Sequence, residues 1–185
     1  MPAETRFLPA AGDLALADPS SMDIDGRYTV RPGRCVTELT TRLFGIRWPH
    51  ARLTVDHAVF TVSAEGATLA VELATASLRT PFPLPAKVVT GQGGLCAGES
   101  PSLGFTSDEV RIQDGVHITG RVAIGDSARD LVLDGELRHP ERGHVILWLR
   151  GTLPPPRRPL RTGNPIVRLL ARRPIRVEFA AEFVR

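Results

Sequence analysis

"VHITGRVAIGDSARDLVLDGELR", residues 116–138, alternates along most of its length. Val116, Ile118, Val122 and Ile124 fall on one face of an extended chain, with His117, Thr119 and Arg121 on the other. After the turn signal "IGDS" the rhythm resumes, with Leu131, Leu133 and Leu137 set against Asp130, Asp134 and Glu136. A helix cannot hold residues two apart on one side, because its side chains repeat every 3.6 positions. The stretch is therefore two half-buried strands joined as an antiparallel hairpin.

The same period extends outward in both directions. "RVEFAAEFVR" (176–185) puts Val177, Phe179, Ala181 and Phe183 opposite Arg176, Glu178 and Glu182. "GHVILWLRGTL" (143–153) puts Val145, Leu147 and Leu149 opposite Ile146 and Trp148, so it is apolar on both faces and its outer face needs a cover or a partner. Further strands are expected at about 28–31, 35–43, 51–63, 67–78 and 103–112, separated by turn signals such as "SAEG", "IQDG" and "HPERG". Eight or nine strands without intervening helices make a meander. The expected fold is thus all-β, an antiparallel barrel of about eight strands over residues 26–185, because closure removes the exposed edges of a long meander.

Two segments break the period and are expected to cross an end of the barrel. One is "RTPFPLPAKVVTGQGGLCAGESP" (79–101), too rich in Pro and Gly for a strand. The other is "PPPRRPLRTGNPIVRLLARRPIR" (154–176), with seven arginines and no acid in a chain whose net charge is +3, so that the remainder sums to 3 − 7 = −4. Within it, "NPIVRLLARR" predicts a short basic amphipathic helix, with Pro165 at the first helical position and Ile166, Leu169 and Leu170 on one face. This helix is a candidate cover for "HVILWL".

Composition narrows the function. With 185 residues, 42% of them hydrophobic, and a mean hydropathy near zero, the chain can bury one sizeable core. Local basicity argues against general nucleic-acid binding and for an anionic partner meeting one patch. Residues 1–25, rich in Ala, Asp, Pro and Ser, are expected to form a flexible tail without a signal peptide, which points to the cytoplasm. No run of 18 apolar residues occurs. Cys35 and Cys96 read as reduced structural cysteines, with a redox pair as the alternative.

Catalytic patterns are scarce. The sequence contains no G-x-S-x-G, H-E-x-x-H or G-x-x-x-x-G-K-[ST], and "GQGG" (91–94) lacks the spacing of a dinucleotide fingerprint. His139 and His144 flank one turn and could begin a metal site, but no third ligand is visible. The expectation is a protein that is not an enzyme and needs no cofactor and no metal.

The order of elements resembles the YceI-like family of lipid-binding, lipocalin-like proteins. "GRYTVRPGRCVTELTTRLFG" (26–45) matches its first strand, "PSLGF" (101–105) its Pro-Thr-Ile-x-Phe type strand start, and "DGVHITGRVAIGDSARDLVLDGEL" (114–137) its Gly-x-x-x-Val-x-Gly-x-Leu-x-Ile hairpin. The resemblance covers about residues 27–150. This chain departs from the family in having Arg31 and Cys35 where an Asp-x-x-x-Ser is common, and "TGQGGLCAGES" before "PSLGF" in place of a helical segment.

The resemblance implies a lipocalin-like barrel whose apolar lumen holds a polyisoprenoid, a fatty-acid-like chain or a similar long amphiphile. Val116, Ile118, Leu131, Leu133, Leu147, Leu149, Phe179 and Phe183 would then line the lumen. Ala67, Ala70, Ala74, Ala76, Gly120, Ala123, Gly135 and Gly151 either leave room inside or relieve barrel curvature. For the basic segment three readings stand. Arg157, Arg158, Arg161, Arg172 and Arg173 bind an anionic head group at the rim; the segment lies on an anionic membrane; or it is a solvated loop and surface helix. The alternative to a lipid carrier is an interaction module with a filled barrel whose basic segment docks a protein or an anionic membrane surface.

Overall fold

The structure, a computed structural model, describes residues 24–79, 103–124, 127–141, 143–155 and 164–185. Nine strands follow one another: β1 (Gly26–Leu43), β2 (Ile46–Leu53), β3 (Val55–Ser63), β4 (Gly66–Leu73), β5 (Leu103–Ile112), β6 (Val116–Ile124), β7 (Ser127–Glu141), β8 (His144–Leu153) and β9 (Ile175–Val184). Each pairs antiparallel with its neighbour in the order β2-β1-β3-β4-β5-β6-β7-β8-β9, and β9 returns to pair with β1. Eight of the nine form a closed barrel; β2 extends outward as a hairpin with the second half of β1. One helix, α1 (Pro165–Ala171), lies between β8 and β9.

Alternation accounts for the barrel strands, and two boundaries differ from the sequence pattern for a topological reason. Residues 28–31 and 35–43 belong to one strand, because β1 runs through a bulge between Val30 and Cys35 that carries Gly33 at φ +74°. Conversely, 51–63 is broken at Thr54. Upstream of the break β2 pairs with Thr37–Leu43 of β1; downstream β3 pairs with Gly26–Thr29. The corner is held by Ser77 Oγ, which accepts from the Thr54 N–H at 2.9 Å, and by Thr54 O, which accepts from the Ala74 N–H at 3.1 Å. β4 ends at Leu73 and gives way to a 3-10 turn, Thr75–Ser77.

The outer surface along the closing seam is laced by ion pairs. Glu38 and Glu178 face one another across β1 and β9, a like-charge pair that Arg47 bridges at 3.3 and 3.2 Å, while Arg52 also bonds Glu38. Arg31, at the β1 bulge, reaches Glu182 of β9 at 3.0 Å, and Arg34 and His144 approach the same carboxylate at 3.9 and 3.2 Å. The hydrogen bond from Arg31 holds the Glu182 carboxyl below its ordinary value, against a smaller opposing effect of burial.

The core lines the inner face and includes Ile24, just ahead of β1. All eight residues expected to point inward are buried. The small residues divide differently. Ala70, Ala76 and Ala123 are exposed, so they leave no room inside. Gly120 and Gly135 face inward where β5 closes on β6 and β8 closes on β7: a methyl at Gly120 would lie 2.4 Å from the Thr106 carbonyl oxygen, and one at Gly135 only 1.9 Å from that of Trp148. These glycines serve curvature.

Helix α1 starts as its sequence predicts. Asn164 caps it through Oδ1, which accepts from the Ile166 N–H at 2.9 Å, and Pro165 occupies the first position. The expected apolar stripe splits, however: Leu170 is buried together with Ala171, whereas Ile166 and Leu169 are 47% and 37% exposed. The cover over β8 comes from arginines. The guanidinium groups of Arg138 and Arg150 stack over Trp148 at 4.5 and 4.4 Å from a ring centroid.

Two outcomes are expected. Gly135→Ala should destabilise the chain by about 2 kcal/mol or more in urea unfolding, because the new methyl meets backbone that cannot step aside; an unchanged midpoint would contradict the close approach of β7 and β8. The depressed Glu182 carboxyl stabilises the fold above the unfolded value of about 4.3, and that contribution is lost as pH falls through the lower folded value. The stability gap between the wild type and Glu182→Gln should therefore be open at pH 7 and close below about pH 4. A gap independent of pH would show that the carboxylate charge is not the cause.

Candidate ligand-binding site

The barrel has two unlike ends. One carries the β3–β4, β5–β6 and β7–β8 turns together with Arg185. The other, here called the helix end, carries the β1–β2 turn, α1, and the points where the chain leaves β4 and β8 and returns to β5 and β9. Both aperiodic segments therefore connect strands at the same end.

Inside, the two halves differ in kind. Toward the turn end, Tyr28, Phe60 and Phe183 fill the barrel, with ring centroids 6.5 Å apart for Tyr28 and Phe60 and 6.0 Å for Phe60 and Phe183. All three are wholly buried. These inward residues of β1, β3 and β9 form an aromatic plug. Toward the helix end the wall changes to Leu39, Leu69, Val71, Leu103, Val122 and Leu133 among others, and a cavity of about 60 Å³ remains. Its free surface is apolar throughout; Thr37 lies on the wall without contributing polar surface, and its hydroxyl is buried with no hydrogen-bond partner among the described residues. Such a cavity attracts hydrocarbon and repels water, which needs two or more polar partners.

The structure separates the eight inward residues into groups. Leu131, Leu133 and Phe179 line the cavity. Val116, Ile118, Leu147, Leu149 and Phe183 are buried but lie off its wall, Phe183 within the plug. Sequence alternation shows which face is inside and not the height along the barrel, so the contribution of Leu69, Leu103 and Val122 to the wall became visible only with the strand register. Of the five rim arginines, Arg172 and Arg173 sit exposed at the helix end directly after α1. Arg157, Arg158 and Arg161 lie outside the described residues, as do "GQGG" and Cys96.

The remaining reactive groups are occupied elsewhere. His117 Nδ1 lies 2.6 Å from Asp134 Oδ1 across β6 and β7, on the outer surface. His144 contacts Glu182, and no cluster of three metal-ligating side chains occurs among the described residues. Cys35 sits in the core, where burial pushes its thiol up to about 12.

Closed antiparallel barrels with a partly hollow, apolar interior are the class of protein to which this architecture corresponds. Among solved structures, the fold is similar to that in the crystal structure of Burkholderia cenocepacia BcnA, with a TM-score of 0.62 over 83% of this chain and 98% of that one. At 11% sequence identity the likeness is one of fold alone. No protein-family model and no curated protein matches the sequence. Among the described residues, no helix is long and apolar enough to cross a membrane.

The state of Cys35 can be checked directly. In a Cys96→Ala variant, a thiol reagent at pH 8 should label nothing in the folded protein and one thiol after unfolding. Rapid labelling of the native protein would place Cys35 outside the core.

Proposed function

We propose that the protein binds or carries a long-chain apolar amphiphile, without catalysing a reaction, and that the hydrocarbon enters the lumen from the helix end. One observation carries this reading: the interior is plugged by aromatic rings at one end and retains a wholly apolar cavity at the other. A wall without polar surface selects hydrocarbon. It also keeps any polar head outside, at the end where Arg172 and Arg173 are exposed and able to make charge-assisted hydrogen bonds to an anionic group. The resemblance to the YceI-like family and the fold shared with BcnA support the same reading, and the polyisoprenoid or fatty-acid-like class is the ligand that the family resemblance favours.

Size sets a condition on it. A volume of about 60 Å³ equals about two water molecules, far below the several hundred Å³ of a typical ligand pocket. Binding of a full chain therefore requires the leucines of the wall to change rotamer. Leu73, Leu103 and Leu153, at the helix-end limits of β4, β5 and β8, are placed to move first.

The test uses extraction and a filled lumen. Mass spectrometry of organic extracts of the purified protein should reveal a long-chain lipid, and a fluorescent fatty acid should bind with an apolar shift in emission. Val122→Phe, which fills the cavity from β6, should reduce that binding at least tenfold while changing thermal stability by only a few degrees. An extract free of lipid, with no uptake of the probe by the wild type, would overturn the proposal.

A further inference from the structure

Five large hydrophobic side chains are exposed among the described residues, and four of them lie at the helix end: Phe44, Ile46, Ile166 and Leu169. Phe44 is the extreme case, 85% exposed at the tip of the β1–β2 hairpin. Its backbone adopts φ +51° and Gly45 adopts φ +80°, so the turn has left-handed geometry at both central positions. Such turns favour Asn-Gly or Asp-Gly, and a bulky aromatic there is both strained and solvent-exposed. Neither the turn nor the core gains from Phe44.

The tip and the helix are fastened to one another through the barrel rim. Thr41 Oγ1 donates to the Pro174 carbonyl at 3.3 Å, and Thr40 pairs with Arg176. Leu170 and Ala171 anchor α1 by burial, which leaves Ile166 and Leu169 facing outward. Charge follows the same geography. Residues 39–55 contain Arg42, Arg47 and Arg52 and no acid; residues 164–177 contain Arg168, Arg172, Arg173 and Arg176 and no acid. Arg47 and Arg52 are engaged by Glu38 and Glu178, whereas Arg42, Arg168, Arg172 and Arg173 have no ion pair among the described residues.

We infer that the helix end is a docking surface for an anionic lipid bilayer, with Phe44 and Ile46 of the hairpin tip and Ile166 and Leu169 of α1 entering the interface and Arg42, Arg168, Arg172 and Arg173 meeting the head groups. Separate apolar points on two projecting elements, ringed by unpaired arginines, suit a soft interface into which each point sinks independently. A folded protein partner would call for one continuous apolar patch with a polar rim. Docking in this way turns the mouth of the lumen toward the membrane. It is independent of what the lumen holds.

Co-sedimentation of the full chain with vesicles tests the proposal. Binding should be strong to phosphatidylcholine vesicles containing 30% phosphatidylglycerol, weak to phosphatidylcholine alone, and should fall as salt rises from 0.05 to 0.5 M and the screening length shrinks. Removing arginines as Arg172→Gln and Arg173→Gln should weaken binding about fivefold each at low salt. Phe44→Asn suits the turn better than the native residue and leaves the core untouched, so the fold is retained; vesicle binding should nevertheless drop about fivefold or more. Val122→Phe, with its filled lumen, should bind vesicles like the wild type, which separates failure of docking from failure of lipid capture. Equal binding to neutral and anionic vesicles, wild-type binding by Phe44→Asn, or absence of vesicle binding alongside retention on an anionic polynucleotide would each overturn the inference.

Discussion

Pairing of β9 with β1 is the constraint on which the rest of the structure depends. Without it, β9 and β1 would each present an unpaired edge, and the inner face would be an open apolar sheet. Closing the circle requires β1 to serve several neighbours, with β9 on one side and first β3, then β2, on the other. The bulge at residues 31–34 and the corner at Thr54 are where this exchange is accommodated. The bulge also brings Arg31 and Arg34 to Glu182, and the pairing beyond it brings Glu38 within reach of Arg47 and Arg52. Each exposed pair contributes little by itself. Their concentration on the seam nevertheless cancels the repulsion that Glu38 and Glu178 would otherwise place across it.

Closure then decides what the interior can do. A ring of eight strands is just wide enough for its own side chains, so whether space remains depends on which side chains meet at each height. Where the seam strands supply Tyr28, Phe60 and Phe183, nothing is left over. Where leucine and valine predominate, a cavity persists even though Phe105 and Phe179 share the wall. The inward glycines do not create this space, since Gly120 and Gly135 are already filled by the backbone of the neighbouring strand. Curvature consumes them.

Much of this was legible in the sequence because an antiparallel strand with one wet face must alternate. Val116, Ile118, Leu131 and Leu133 announced their inward direction through His117, Asp130 and Asp134 between them. What alternation could not convey was position along the axis, which separates Val122 on the cavity wall from Val116 and Ile118, inward-facing on the same strand but off it. The continuity of β1 was hidden by Pro32 and Gly33, residues that ordinarily end a strand and here form a bulge. In α1 the helical period grouped Ile166 with Leu170, but a helix of seven residues resting on one edge buries only its last turn. Nothing in "TRLFGIRW" signalled that Phe44 would stand at the tip of a turn, because the sequence there lacks the usual Asn-Gly.

The two ends of the barrel solve opposite problems. At the turn end the described chain is short between strands, the interior is packed with rings, and Arg31 and Arg34 share the Glu182 carboxylate. At the helix end long connections leave the barrel, a cavity remains, apolar side chains are exposed, and Arg42, Arg168, Arg172 and Arg173 have no ion pair among the described residues, although Arg47 and Arg52 are held by Glu38 and Glu178. A protein selected only to stay folded and soluble would not place a strained phenylalanine in a turn that asparagine fits better. The docking inferred above would give Phe44 a role, since an anionic lipid surface would take up exposed hydrocarbon and meet positive charge at once. Under the proposed function and the inferred docking, the lumen and the rim would serve one task, since hydrocarbon leaving a bilayer would meet the apolar cavity at the end of the barrel that faces the lipid.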